Sequence, residues 1–180
     1  MTGPLYHSID DAKVELEKIF GGGQSYDICI KPVFVKNLSV LIVYVNGLVN
    51  TGVIAEILVN IAFEEEQEIE DDVKYFDQHF NYQGKEQVDK LDDFLLGVLS
   101  GLAGFITENG YAFLAEIREY PGRTPEEPDN EKVIRGSRDG FAENISQNTA
   151  LIRRRIRSTE LRFEMHHISD YLSLIHISEP

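Results

Sequence analysis

The chain is poor in cysteine, in long apolar runs and, over most of its length, in arginine. One cysteine in 180 residues, Cys29, excludes an internal disulfide framework and a cysteine-based zinc site and points to a reducing compartment. Cys29 falls in an apolar alternating segment, which favours a structural thiol over a nucleophile. The longest apolar stretches, Leu38 to Val49 and Phe94 to Ile106, fall short of the ~20 residues that cross a bilayer, and glycine interrupts both. Met1 to Asp11 has neither the basic start nor the apolar core of a signal peptide. The chain by itself is therefore expected to be soluble.

No arginine occurs before Arg118, and all nine lie between Arg118 and Arg162. Net charge is −14, but residues 1–117 hold 20 acids against 7 lysines while residues 118–162 hold 10 bases against 8 acids. Such an acidic N-terminal part repels nucleic acid and anionic headgroups, which excludes nucleic-acid binding by the chain as a whole. The basic segment keeps a local anionic partner open. A hydrophobic content of 42% and a charged content of 27% are ordinary for a globular chain long enough for one domain or two small ones.

Ser8, with Asp11 three residues on, is placed to cap a first helix with Ile9, Ala12, Leu16, Ile19 and Phe20 at helical spacing, ended by Gly21 to Gly23. From Tyr26 to Val35 the pattern alternates around Pro32, which predicts an edge strand or two short strands. "SVLIVYV", Ser39 to Val45, predicts a strand buried on both faces. Asn46-Gly47 turns the chain, and Asn50 or Thr51 is placed to cap a helix striped by Val53, Ile54, Ile57, Leu58 and Ile61. The acidic run Glu64 to Asp72 lacks a glycine-turned calcium loop and is expected to be a solvated linker or helix end. Val88 to Leu99 predicts a further amphipathic helix stopped by Gly101. Leu102 to Thr107 and Tyr111 to Ile117 then form a hairpin through Glu108-Asn109-Gly110. After a polar loop, Phe141, Ile145, Thr149, Ile152 and Ile156 mark a long helix, and Leu161 to Ile168 alternates as a closing strand. The fold class expected is α/β: two small α/β subdomains in series, mixed sheets flanked by helices, with units at 1–82 and 83–170 and a tail at 171–180.

Chemistry-bearing residues are few. Gly136-Ser137-Arg138-Asp139-Gly140 precedes a helix, where backbone N–H groups and the helix dipole favour anions. It has neither the lysine nor the spacing of a P-loop and does not follow a strand. Asp139 is placed to cap the helix itself, so Gly136, Asp139 and Gly140 read as a helix-entry motif, with anion binding beside Arg135 and Arg138 left open. In "LIRRRIR", Ile152 and Ile156 are expected to face the core while Arg153, Arg154, Arg155 and Arg157 project elsewhere. One or two cations suffice to complement a helix C-terminus. Four in five positions point to an interface or an anionic partner. His166 and His167, neighbours on an expected strand, point to opposite faces and cannot share one metal ion. No nucleophile–base set is legible, so neither an active site, a metal nor a cofactor is expected.

Arg118 to Ile168 resembles the GerA family of spore germination proteins. The resemblance rests on Glu126 to Pro128, on "RGSRDGF" from Arg135 to Phe141, on Glu143-Asn144 and on "NTALIRRRIR" from Asn148 to Arg157. "LIVYVNGLVN", Leu41 to Asn50, resembles the strand–turn–helix of the family's first subdomain, and the likeness covers roughly residues 25–170. It implies the cytosolic N-terminal region of a protein of the spore inner membrane, joined to the membrane only through a domain absent from this chain. It also implies a part in germination-linked ion release, with other germination-complex subunits or a second copy as partners. The tail from about Tyr171 departs from the family pattern. A second reading is a sensing domain in which Arg135 and Arg138 bind a small anionic metabolite or germinant between the subdomains.

Overall fold

A computed structural model describes residues 4–23, 25–35, 38–63, 74–75, 84–119, 141 and 144–166. Local signals set most of its helix ends. Ser8 Oγ accepts the Asp11 amide at 3.2 Å and donates to the Asp11 carboxylate at 2.9 Å, which starts α1 (Ile9–Ile19). Asn50 accepts the Val53 amide at 3.1 Å through its side chain and so caps α2 (Thr51–Phe63). α3 (Leu91–Leu99) starts later than its periodicity suggests. Val88 belongs instead to a short strand, where it pairs with Ala112.

The strands β1 (Ile28–Val35), β2 (Leu38–Val45), β3 (Glu86–Val88), β4 (Ala103–Thr107) and β5 (Ala112–Ala115) form one sheet in the order β1-β2-β4-β5-β3. All four ladders are antiparallel. The α/β class read from the sequence is the class observed. The boundary expected near residue 82 falls between strands of a shared sheet, because Val40 to Val43 pair with Thr107 to Gly104. β1 runs unbroken through Pro32 at the sheet's edge, where a missing N–H removes no ladder bond the sheet needs.

β2 has two faces, and both are buried as its sequence predicts. Leu41, Val43 and Val45 join a core beneath α1 and α3, built with Leu16, Phe94, Val98, Ile106 and Leu114. Val40 and Ile42 join a second core with Phe105, Phe113 and the α2 residues Ile54, Ile57 and Ile61. The sheet is thus sandwiched, with α1 and α3 on one side and α2 on the other. Withdrawing each large apolar side chain from water contributes about 1.5–3 kcal/mol. Two glycines leave room where α3 meets the sheet: the Phe94 ring lies over Gly104, and the Leu114 side chain lies over Gly97.

Beyond β5 the chain runs back along the turn that follows β2. The Asn50 amide donates to Ile117 O at 2.9 Å, and the Glu119 amide donates to Leu48 O at 3.0 Å. That pairing holds the β2–α2 turn, on which the last helix packs.

Candidate functional site: the arginine helix

α4 (Ile145–Arg155) carries most of the arginine cluster. Its N-cap is Asn144, whose Oδ1 accepts the Ser146 amide at 2.9 Å and the Gln147 amide at 3.4 Å. Arg135, Gly136, Arg138, Asp139 and Gly140 lie outside the described residues, as do His167 and the acidic run Glu64 to Asp72. Asn144→Ala is expected to cost about 1 kcal/mol, the usual value of an N-cap side chain. Thermal unfolding would register this as a loss of roughly 2–4 °C.

The helix is rotated about a quarter turn from the side its hydropathy favours. Its buried residues are Thr149, Ala150 and Arg153, while Ile145 and Ile156 are 56% and 50% exposed. Arg153, expected to project from the core, is 0% exposed. The physical reason is a partner far away in sequence, Asp27, in the turn that leads into β1. Arg153 Nε donates to Asp27 Oδ2 at 2.7 Å and Nη2 donates to Asp27 Oδ1 at 3.1 Å, a bidentate pair with both side chains buried. Nη2 also donates to Leu161 O at 2.9 Å and lies 3.3 Å from Ser25 Oγ, while Nη1 donates to Ser158 O at 2.9 Å. The Phe163 ring lies 5.1 Å from the guanidinium carbon. A buried charge is tolerable only when paired and fully hydrogen-bonded, and here every nitrogen of the guanidinium has an acceptor.

The surroundings are fitted to that pair. Ser25 Oγ donates to Asp27 Oδ1 at 2.6 Å, and the Asn46 amide donates to Asp27 O at 2.7 Å. Tyr26, between them, donates from its hydroxyl to Thr149 Oγ1 at 2.9 Å. Gly47 lets the helix backbone come close, since a Cβ there would lie 3.0 Å from Ser146 O and 3.1 Å from Ala150 Cβ. After α4 the chain passes back over the same spot. Tyr26 N donates to Phe163 O at 3.1 Å, and Phe163 N donates to Ser25 Oγ at 3.1 Å. The closing strand expected from Leu161 to Ile168 is therefore not a strand over its described residues, Leu161 to His166. It is a single crossing, fixed by one backbone bond and by bonds to side chains in place of a ladder.

The opposite face of α4 looks outward. Phe141, which precedes the helix, is 73% exposed, and Arg154, Arg155 and Arg157 are exposed, as are Ile145 and Ile156. Phe141, Leu151, Ile152 and Arg155 line a cavity of about 150 Å³. The structure thus divides the four predicted arginines into one internal tie and three surface cations. Asp27, Ser25 and Phe163 escaped the sequence reading. The only local signal was an acid, in "SYDICI", standing where a mainly apolar strand begins. Elsewhere Cys29 is half-buried opposite Tyr44 on β2, and burial together with the Cys29 thiol pushes the Tyr44 phenol upward. Among the described residues no group of three His, Cys, Asp or Glu side chains is placed to hold a metal ion.

Residues 14–173 match the family model described as Bacillus/Clostridium GerA spore germination protein. Stage V sporulation protein AF of Bacillus subtilis (strain 168) is 44% identical over 151 residues, covering 81% of this chain and 30% of that protein. Spore germination protein XA of Bacillus anthracis is 40% identical over 57 residues, covering 32% of this chain and 11% of that protein. The fold is also that of a solved structure, the N-terminal domain of the A subunit of the Bacillus megaterium spore germinant receptor GerK3. The TM-score is 0.64 at 18% identity, covering 90% of this chain and 60% of that one. This chain spans less than a third of the length of the curated relatives it matches. Among the described residues no helix is long and apolar enough to cross a membrane.

Proposed function

The chain belongs to the GerA family of spore germination proteins, and from that premise we propose that it is a non-enzymatic region acting through subunit contacts. In the full-length protein it lies on the cytosolic side of the spore inner membrane. There it couples or assembles subunits during germination-linked ion release. One observation carries this reading: α4 and the residues flanking it expose Phe141, Ile145 and Ile156 as well as Arg154, Arg155 and Arg157, with Phe141 and Arg155 lining a shared cavity. Exposed aromatic and aliphatic residues near arginine have the composition of an interface centre. The cations select a partner face that is apolar and acidic. The occupant proposed is another germination-complex subunit.

Affinity capture from spore membranes tests this with the full-length protein of matching sequence as bait. Germination subunits are expected in the recovered fraction, and Arg154→Glu with Arg155→Glu is expected to lower their recovery about tenfold, the effect of 1.4 kcal/mol at the interface. Absence of any germination subunit from the wild-type capture would sink the proposal. Calorimetry separates it from sensing: heat with germinants or phosphorylated metabolites that disappears in Arg138→Ala would favour a ligand site.

A further inference from the structure

α4 is held by unusual means. The sheet and α1 to α3 enclose two apolar cores, yet α4 contributes a single residue, Ala150, to the fully buried apolar set. Its other two buried residues, Thr149 and Arg153, are polar. Docking of the helix therefore depends on directed bonds: Tyr26 to Thr149, and Arg153 to Asp27. The same guanidinium also binds the carbonyls of Ser158 and Leu161. One side chain thus ties three things together: the turn before β1, the helix that carries the arginine, and the chain that leaves the helix.

We propose that Arg153 is a latch, through which α4 and the segment to Phe163 dock on the sheet and release from it as one unit while the sheet stays folded. Segments with few apolar contacts and a small set of polar ties open sub-globally, at a lower free energy than the core. Several features make the tie all-or-none. The carboxylate and guanidinium are buried together, so partial opening would strand a charge in an apolar setting. The Phe163 ring covers the guanidinium, and the Phe163 amide and carbonyl bond Ser25 and Tyr26. Pulling the exit segment away uncovers the pair, and undoing the pair frees the exit segment. The latch would govern whether the outer face of α4 is presented in a fixed place. It needs no partner, so it can stand or fall apart from the subunit-contact reading.

Amide hydrogen exchange on the 180-residue chain tests the latch. Arg153→Lys keeps the charge but loses the fork that reaches Asp27 and both carbonyls at once. Amides of α4 and of residues 156–163 are expected to exchange at least about tenfold faster in this variant, while those of β2 and β4 stay within about twofold of wild type. Equal acceleration in β2 and β4, or none in α4, overturns the latch. The double variant Arg153→Met with Asp27→Leu removes both charges at similar volume, a change that buried pairs often tolerate. It is expected to keep sheet protection while α4 and the exit segment remain fast. Wild-type protection of α4 in that variant would show that filling the space suffices, and would overturn the proposal.

Discussion

Phe94→Ala is expected to lose about 3–5 kcal/mol, the cost of deleting a fully buried aromatic ring. For a chain of this size that is roughly 6–20 °C in melting temperature. Phe94 is 0% exposed, and its ring rests directly on Gly104 of the central strand β4. A Cβ at Gly104 would lie 2.5 Å from the Phe94 ring tip and 3.0 Å from Val98 Cγ2. Gly104→Ala alone therefore overpacks the seam and is expected to cost about 1–3 kcal/mol. The two changes should not add. With the ring gone, the Gly104 methyl enters the space it vacates, so Gly104→Ala is expected to be neutral or stabilising in the Phe94→Ala background. Denaturant unfolding of the four variants reads this reversal directly. A Gly104→Ala penalty unchanged in both backgrounds would disprove the contact.

Gly110→Ala is expected to be nearly as damaging, for a reason of backbone geometry. Gly110 ends the β4–β5 turn at φ +77°, and its carbonyl accepts the Leu5 amide at 2.8 Å and the Tyr6 amide at 3.2 Å. An added Cβ would collide with the Tyr6 carbonyl, which is main chain and cannot swing aside. Forcing an L residue into this region costs of order 1–3 kcal/mol. Breaking the two bonds that lead the chain into α1 adds about 1 kcal/mol each. Gly22→Ala is the control. Its φ is +68°, but nothing lies within 4 Å of an added Cβ, so only the conformational cost of about 1 kcal/mol applies. Calorimetric melting that placed the two variants level would refute the steric argument.

Both predictions rest on details that a sequence does not carry, although much of the fold was legible. Ser8, Asn50 and the glycines after Phe20 announce helix ends through bonds within five residues, and each is found where expected. Pro32 announces an edge strand, and the β-branched run to Val45 announces a strand covered on both sides. Residues that meet across long separations stayed hidden. Nothing near Val40 says that it pairs with Thr107, and Val88 fits the helical stripe that follows it as well as it fits β3. The arginine helix shows the same limit most clearly. Ile145, Ile152 and Ile156 form a plausible inward face by hydropathy alone. A side about a quarter turn away wins because Asp27, 126 positions away, makes an arginine the better core residue. Four arginines in five positions mark the right helix, but which one is internal depends on a partner no local pattern identifies.

The strand order has a consequence for the chain during its synthesis. β2 gains β1 beside it at once, but its other neighbour β4 is fixed only when Gly104 to Thr107 emerge, since Val43 pairs with Gly104. At the ~5–20 residues per second of translation, that interval is of order several seconds. Throughout it, "LIVYV" offers an apolar strand with one bare edge and no proline, the composition that pairs readily with other chains. The nascent protein therefore depends on shelter at the ribosome, or on fast docking of α2, to reach the point at which its central strand closes the gap.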